Sequence, residues 1–160
     1  MVLHSNDKVI LEPLTENDAE IFYLLYADPL LKVNFDKEPF LPGESPLAFT
    51  KRIISLCDFI FTIRPTYDPA LIIGDCALHH WDKEQEQIFI GGSLVPAFWG
   101  KGYMSSSFQI LAGVAKQVMG VKYLLGQTSA HNLNAIRMAE KMGFAIQEVN
   151  INEVIIKKSI

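Results

Sequence analysis

Apolar and polar positions along this 160-residue chain alternate between the two-residue period of strands and the longer period of helices. Val9-Ile10-Leu11 predicts a short first strand, stopped by Pro13. Thr15 with Asp18 three positions on has the form of a capping box. The helix that follows carries Ile21, Phe22, Leu24, Leu25 and Ala27 on its apolar face and ends at Asp28-Pro29. From Leu30 to Gly43 the signals are mixed, with Pro39 and Pro42 following Pro29, and a loop with a helical turn is expected. Ser45-Pro46 is a cap followed by proline in the first helical position, opening a second helix with Leu47, Phe49, Ile53, Ile54 and Leu56.

The middle of the chain turns to strands. Phe59 to Ile63 and Leu71 to Trp81 predict the second and third, separated by a turn over Arg64 to Pro69. The charged run Asp82 to Gln87 reads as a hairpin connection, with Glu86 at its solvated end. Ile88 to Ile90 is an apolar run without helical period that reaches Gly91-Gly92, the pattern of a buried fourth strand. Pro96 stops it, since proline donates no hydrogen to a ladder. A third helix carries Met104, Phe108, Leu111, Ala115 and Val118 on one stripe and is capped by Gly120. Val121 to Gln127 predicts a fifth strand, Asn132 or Asn134 caps a fourth helix, and Gly143 closes it. Phe144 to Val149 and Ile151 to Ile156 alternate as a last hairpin.

Between the fourth strand and the third helix lies Trp99-Gly100-Lys101-Gly102-Tyr103. A strand, a glycine-rich turn and a helix start make an anion site. The glycines allow close backbone approach, and the first helical turn leaves its amides unpaired at the positive end of a dipole. The dinucleotide fingerprint is absent, because Ser105 stands where its third glycine would be. The phosphate loop of nucleotide hydrolases is absent too, because Lys101 is followed by Gly102. A plain tight turn remains the alternative.

Composition narrows the class. Apolar residues make up 49% and charged residues 20%, as in an ordinary globular protein, and a chain of this length suits one domain spanning 1–160. The net charge of −4 and the lack of a basic run argue against a nucleic-acid partner. No basic segment precedes an apolar one at the N-terminus, and no apolar run approaches membrane-spanning length, so a cytoplasmic protein is expected. Cys57 and Cys76 have no metal-ligand spacing and read as reduced, buried thiols.

Leu94-Val-Pro-Ala-Phe-Trp-Gly-Lys-Gly-Tyr-Met104 resembles the acetyl-coenzyme A loop of the GNAT superfamily of N-acetyltransferases. The likeness is strongest to the Rim-type branch of ribosomal-protein N-terminal acetyltransferases, which favours a tryptophan before G-K-G-Y. Downstream, Asn132-Leu-Asn-Ala-Ile-Arg-Met-Ala-Glu-Lys-Met-Gly-Phe144 resembles that branch's second motif, an asparagine opening a helix that closes in K-x-G-F. The resemblance implies an α/β (α+β) fold: a mixed, mostly antiparallel sheet of about seven strands with helices on both faces. It also implies acetyl transfer from acetyl-coenzyme A to a primary amine, on a small molecule or a protein N-terminus. A mildly acidic surface would suit such a cationic acceptor. Neither nucleic acid nor membrane is expected as a partner, and a homodimer is left open.

By the same resemblance, Gly100, Lys101, Gly102, Tyr103, Met104 and Ser105 would cradle the pyrophosphate. The backbone of Leu94 and Val95 would run beside the pantetheine, and Asn132 would bond it. Gly91-Gly92 is compatible with a bulge that splays the fourth and fifth strands apart. Phe35, Phe40 and Phe49 could line an acceptor groove, although core packing accounts for each of them as well. No metal is implied. The proton chemistry is less well marked, because Phe89, Ala135 and Ala139 occupy places where relatives often carry a glutamate, a serine and a tyrosine. Either positioning dominates, with water deprotonating the amine, or other side chains substitute. His79 and His80 have a suitable titration range, and strand alternation lets at most one face the site. Ser93, Ser129 and His131 are weaker candidates. A non-catalytic acyl-coenzyme A binding or sensing domain of the same fold is the rival reading.

Overall fold

A computed structural model describes residues 3–33, 35 and 37–160. Asn34 and Asp36, inside the stretch read as a loop, lie outside the described residues. The strands are β1 (His4–Ser5), β2 (Val9–Pro13), β3 (Cys57–Pro65), β4 (Gly74–Asp82), β5 (Gln87–Leu94), β6 (Tyr123–Ser129), β7 (Ala145–Val149) and β8 (Glu153–Ser159). The helices are α1 (Ala19–Ala27), α2 (Pro29–Lys32), α3 (Pro46–Leu56), α4 (Tyr103–Gln117) and α5 (Leu133–Lys141).

The strands form one sheet in the order β1-β2-β3-β4-β5-β6-β8-β7. Only β5 and β6 run parallel; the other neighbours are antiparallel. On one face α4 and α5 cover Val9, Leu11, Ile63, Cys76, Leu78, Ile88 and Ile90, with Leu111, Val114 and Ala115 of α4 fully inside. On the other, Phe22 of α1 and Phe49 of α3 pack on Ile60 and Ala77. The two-sided cover accounts for the continuous apolar run of the central strands.

Pairing between β5 and β6 ends after three residues, Gln87 to Phe89 against Tyr123 to Leu125. Beyond that point each strand keeps a different neighbour. β5 stays on β4 from Phe89 to Leu94, and β6 stays on β8 over its whole length. The sheet therefore opens into a wedge between two strands that are each half satisfied.

Two expectations change. Among the described residues the sheet has eight strands, because His4–Ser5 pairs with Ile10 and Leu11. The helical turn expected after Pro29 forms as α2, opened by the Asp28 carboxylate, which accepts from the Leu30 amide at 2.9 Å. No bulge lies at Gly91-Gly92, where β5 keeps register with β4. The irregularity is in β4, where His80 and Trp81 bulge opposite Ile88. At the element ends, Val118 is exposed just past the last turn of α4, and Val121 is tied to that helix end through the Ala115 carbonyl, so β6 begins two residues later. Other starts hold. Ser45 Oγ accepts from the Ala48 amide at 3.1 Å, and the Thr15 amide donates to the Asp18 carboxylate at 3.0 Å.

Candidate active site

The glycine-rich turn lies at the open end of the wedge. Gly100 and Gly102 both have positive φ, +71° and +84°, which side chains rarely adopt. Gly102 caps α4 without any side-chain cap, and the first helical bond runs from the Ser106 amide to the Gly102 carbonyl at 3.1 Å. The amides of Tyr103, Met104 and Ser105 therefore have no intrahelical acceptor and point out of a positive dipole end. A Cβ at Gly100 would meet open space, as a cradle for an outside ligand requires.

Two ammonium groups attend this turn. Lys101 lies over the Phe98 ring. Lys8, which sequence reasoning did not single out, lies over the Tyr103 ring at 4.8 Å, and its Nζ is 3.6 Å from where a Gly102 Cβ would stand. Asn6 places it. The Asn6 Oδ1 accepts from the amides of Lys8 and Val9, while its Nδ2 donates to the Ser106 carbonyl at 3.1 Å. That staple between the β1–β2 turn and α4 joins residues 100 positions apart, so no local signal reveals it.

From the turn, the chain path leads back along β5. The Trp99 indole donates to the Leu94 carbonyl at 2.9 Å and locks the loop onto the strand end. The Val95 amide donates to the Ile73 carbonyl at 2.8 Å, on the β4 side. By alternation, the amides of Leu94 and Gly92 point the other way, into the wedge. Across it, β6 runs parallel and brings Ser129 and Asn132 to the same end. Asn132 caps α5, its Oδ1 accepting from the Ala135 amide at 3.2 Å, which leaves its Nδ2 as the group that could meet a ligand. Ser129 Oγ accepts from the His131 amide at 3.2 Å. The cofactor candidates thus converge on one mouth: Leu94 and Val95 on one side, Asn132 on the other, and Gly100 to Ser105 at the rim.

The histidines depart from expectation. Strand alternation would have turned one of them away, but His80 adopts φ +55° within the β4 bulge. Both rings consequently pack against Phe89, and their Nδ1 atoms are hydrogen-bonding neighbours. Burial, then the neighbouring His80, holds the His79 pKa below its ordinary value, against the opposing pull of Asp58. The Phe89 ring stacks on His79 at 5.7 Å. Gly91 leaves the floor beside them bare, since a Cβ there would meet only His79 Nε2 at 3.8 Å.

Over this floor stand α1 and α3. Phe49 is fully buried at the centre of a cluster with Phe22, Tyr23, Tyr26 and Phe40, so it belongs to the core and not to a groove wall. Phe35 is half-buried and stacks on Tyr26 at 5.4 Å. Ala139 is buried in the opposite core and offers nothing to this face. Cys57 and Cys76 are free thiols, and burial pushes both pKa values up, that of Cys57 to about 11. Among the described residues no three potential metal ligands gather, and no helix is long and apolar enough to cross a membrane.

A family model described as an acetyltransferase (GNAT) domain matches residues 8–145. No curated protein matches the chain by sequence. Solved structures do match by shape. A GNAT acetyltransferase from Bacillus anthracis superposes with a TM-score of 0.83 at 14% identity, over 99% of this chain and 98% of that one. RimL, a ribosomal L7/L12 alpha-N-protein acetyltransferase in complex with coenzyme A, gives 0.81 at 14% identity, over 99% and 98%. An acetyltransferase from Agrobacterium tumefaciens gives 0.79 at 15% identity, over 99% and 94%. At such identities the likeness speaks for the fold, while the family match covers most of the sequence. The chain belongs to the GNAT family of acyl-coenzyme A-dependent acetyltransferases.

Proposed function

We propose that this protein transfers the acetyl group of acetyl-coenzyme A to a primary amine, on a small molecule or a protein N-terminus, in the cytoplasm. The observation that carries the reading is the uncapped start of α4, with two left-handed glycines and the ammonium groups of Lys8 and Lys101, set at the mouth of the wedge. Such a cradle suits a pyrophosphate. The Gly92 and Leu94 amides and the Asn132 carboxamide would line the pantetheine arm. The thioester, when bound, supplies an activated acyl group, and the chain's own work is to hold it and admit the amine from the α1–α3 side over Gly91.

Calorimetry with coenzyme A and acetyl-coenzyme A tests the holding, and release of free thiol across a panel of peptides and small amines tests the transfer. Lys8→Ala should weaken coenzyme A binding several-fold and flatten its salt dependence, since one phosphate-facing charge is lost. Wild-type affinity that is unchanged in Lys8→Ala would remove this lysine from the site. A second reading, binding without turnover, draws on Phe89, Ala135 and Ala139 where relatives often carry polar groups. Tight cofactor binding with no thiol release on any amine would select it.

A further inference from the structure

The α1–α3 face of the sheet holds a carboxyl group with nothing to balance it. Asp75 of β4 is 3% exposed and stands in register between Thr62 of β3 and Ser93 of β5. Its Oδ1 accepts from the Tyr26 hydroxyl at 3.2 Å, and its Oδ2 has no hydrogen-bond partner among the described residues. The titratable groups near it are Tyr26 from α1, Cys57 from β3 and, on the opposite face of the sheet, its own neighbour Cys76; none is a cation. Arg64, which donates to Thr62 Oγ1, is committed to Glu12 and Asp18. An ionised carboxyl so placed is strongly disfavoured, whereas a protonated one is neutral. A group of this kind is suited to receiving a proton.

A path leads to it. Ser93 projects from β5 on the same face, in register with Asp75, whose carboxylate holds the Tyr26 hydroxyl. Burial first and Asp75 second raise the Tyr26 pKa well above its ordinary value, so the phenol keeps its hydrogen and donates it to Asp75. With the Tyr26 hydrogen directed at Asp75, a proton arriving from the Ser93 side would enter at the phenol oxygen. Ser93 is half-buried, next to Gly92 and beyond the last paired residues of β5 and β6, so its outer end borders the open wedge. His79 and His80 sit at the closed end, where those strands still pair.

We propose that Ser93, Tyr26 and Asp75 form a proton path for the acceptor amine. This rests on the acetyl-transfer reading above. As the amine nitrogen forms its bond to the acyl carbon, its proton passes to Ser93 Oγ. The Ser93 hydroxyl hydrogen passes to Tyr26 Oη, and the phenolic hydrogen passes to Asp75. The carbon–sulfur bond breaks with its electron pair on sulfur, which takes a proton from solvent. Asp75 returns its proton to solvent by the reverse path once the amide has left. Burial pushes the Asp75 pKa up to about 7, against the opposing Tyr26 bond, so the carboxyl can both accept and release near neutrality.

The test is the pH dependence of kcat/KM for one accepted amine in the wild type, Asp75→Asn, Tyr26→Phe, Ser93→Ala and His79→Ala, with coenzyme A affinity measured for each. The wild-type profile should rise through an inflection near 7. Asp75→Asn should lose the inflection and about a hundredfold or more of the plateau rate, with coenzyme A affinity kept. Tyr26→Phe and Ser93→Ala should each lower the rate at least tenfold. Ser93→Ala leaves the buried pair intact, so the test stands even if Asp75→Asn fails to fold. An inflection that survives in Asp75→Asn, disappears in His79→Ala, or accompanies a wild-type rate in Ser93→Ala would overturn the proposal. Coenzyme A binding without turnover on any amine would instead overturn the transfer reading, and this path with it.

Discussion

At the scale of single residues, conformation and charge decide different things. Gly102 combines φ +84° with Lys8 Nζ 3.6 Å from where its Cβ would stand, so a β-branched residue there strains the turn and sets its methyl groups beside an ammonium group. Gly102→Val is expected to weaken coenzyme A binding about tenfold or more, roughly 1.4 kcal/mol, in a protein that still folds. Unchanged affinity by calorimetry would take the turn out of the site. Asp75 makes a different prediction. Its pKa is about 7 in the folded protein and close to the ordinary carboxylate value in the unfolded chain, so the unfolded state loses its proton first. Stability should then fall as pH rises between those two values, by up to about 4 kcal/mol from this group. Asp75→Asn removes the cost, so its melting temperature should exceed that of the wild type by a margin that widens from pH ~5 to pH ~8. A constant margin would mean that the carboxyl is not buried as an acid.

At the scale of elements, local signals were legible and long-range ones were not. The start of α3 at Ser45-Pro46, the glycine turn before α4 and the asparagine cap of α5 all reside in consecutive residues, and the structure keeps each of them. The β4 bulge could not be read, because His80 and Trp81 look like any strand pair until β5 sets the register opposite them. Lys8 was equally hidden, since its placement depends on Asn6 reaching α4. So was the path from Ser93 to Asp75, which joins β5, β4 and α1 across 49 residues at its Tyr26 bond. Capping and ligand binding by Asn132 are separable on the same ground. Serine caps about as well as asparagine, but it lacks the carboxamide nitrogen. Asn132→Ser should therefore raise the acetyl-coenzyme A KM several-fold while moving the melting temperature by no more than a degree or two. A drop in stability with an unchanged KM would leave only the cap.

At the scale of the whole molecule, the sheet behaves as two ladders held together at one short seam. The larger runs from β1 to β5 and the smaller comprises β6, β8 and β7, and only three residues of each strand join them directly. Past Phe89 and Leu125 the facing edges carry backbone amides without ladder partners, among them those of Gly92 and Leu94. The sheet's other open edges are its outer ones, at β1, whose two residues cover only part of β2, and at β7, whose residues are all exposed. A ligand that lies in the wedge and contacts both edges adds a bridge to the seam, so its binding should be felt as closure of the opening rather than as a uniform tightening. Coenzyme A at a hundredfold over its dissociation constant should stabilise the fold by about 2.7 kcal/mol. Hydrogen exchange should show where that energy goes. Slowing is expected at Gly92 and Leu94, at the first turn of α4 from Tyr103 to Ser105, and at the Asn132 end of α5. The exposed edge strand β7, whose ladder partner is β8, should exchange as before. Protection spread evenly over both ladders, or confined to β7 and β8, would place the ligand outside the wedge.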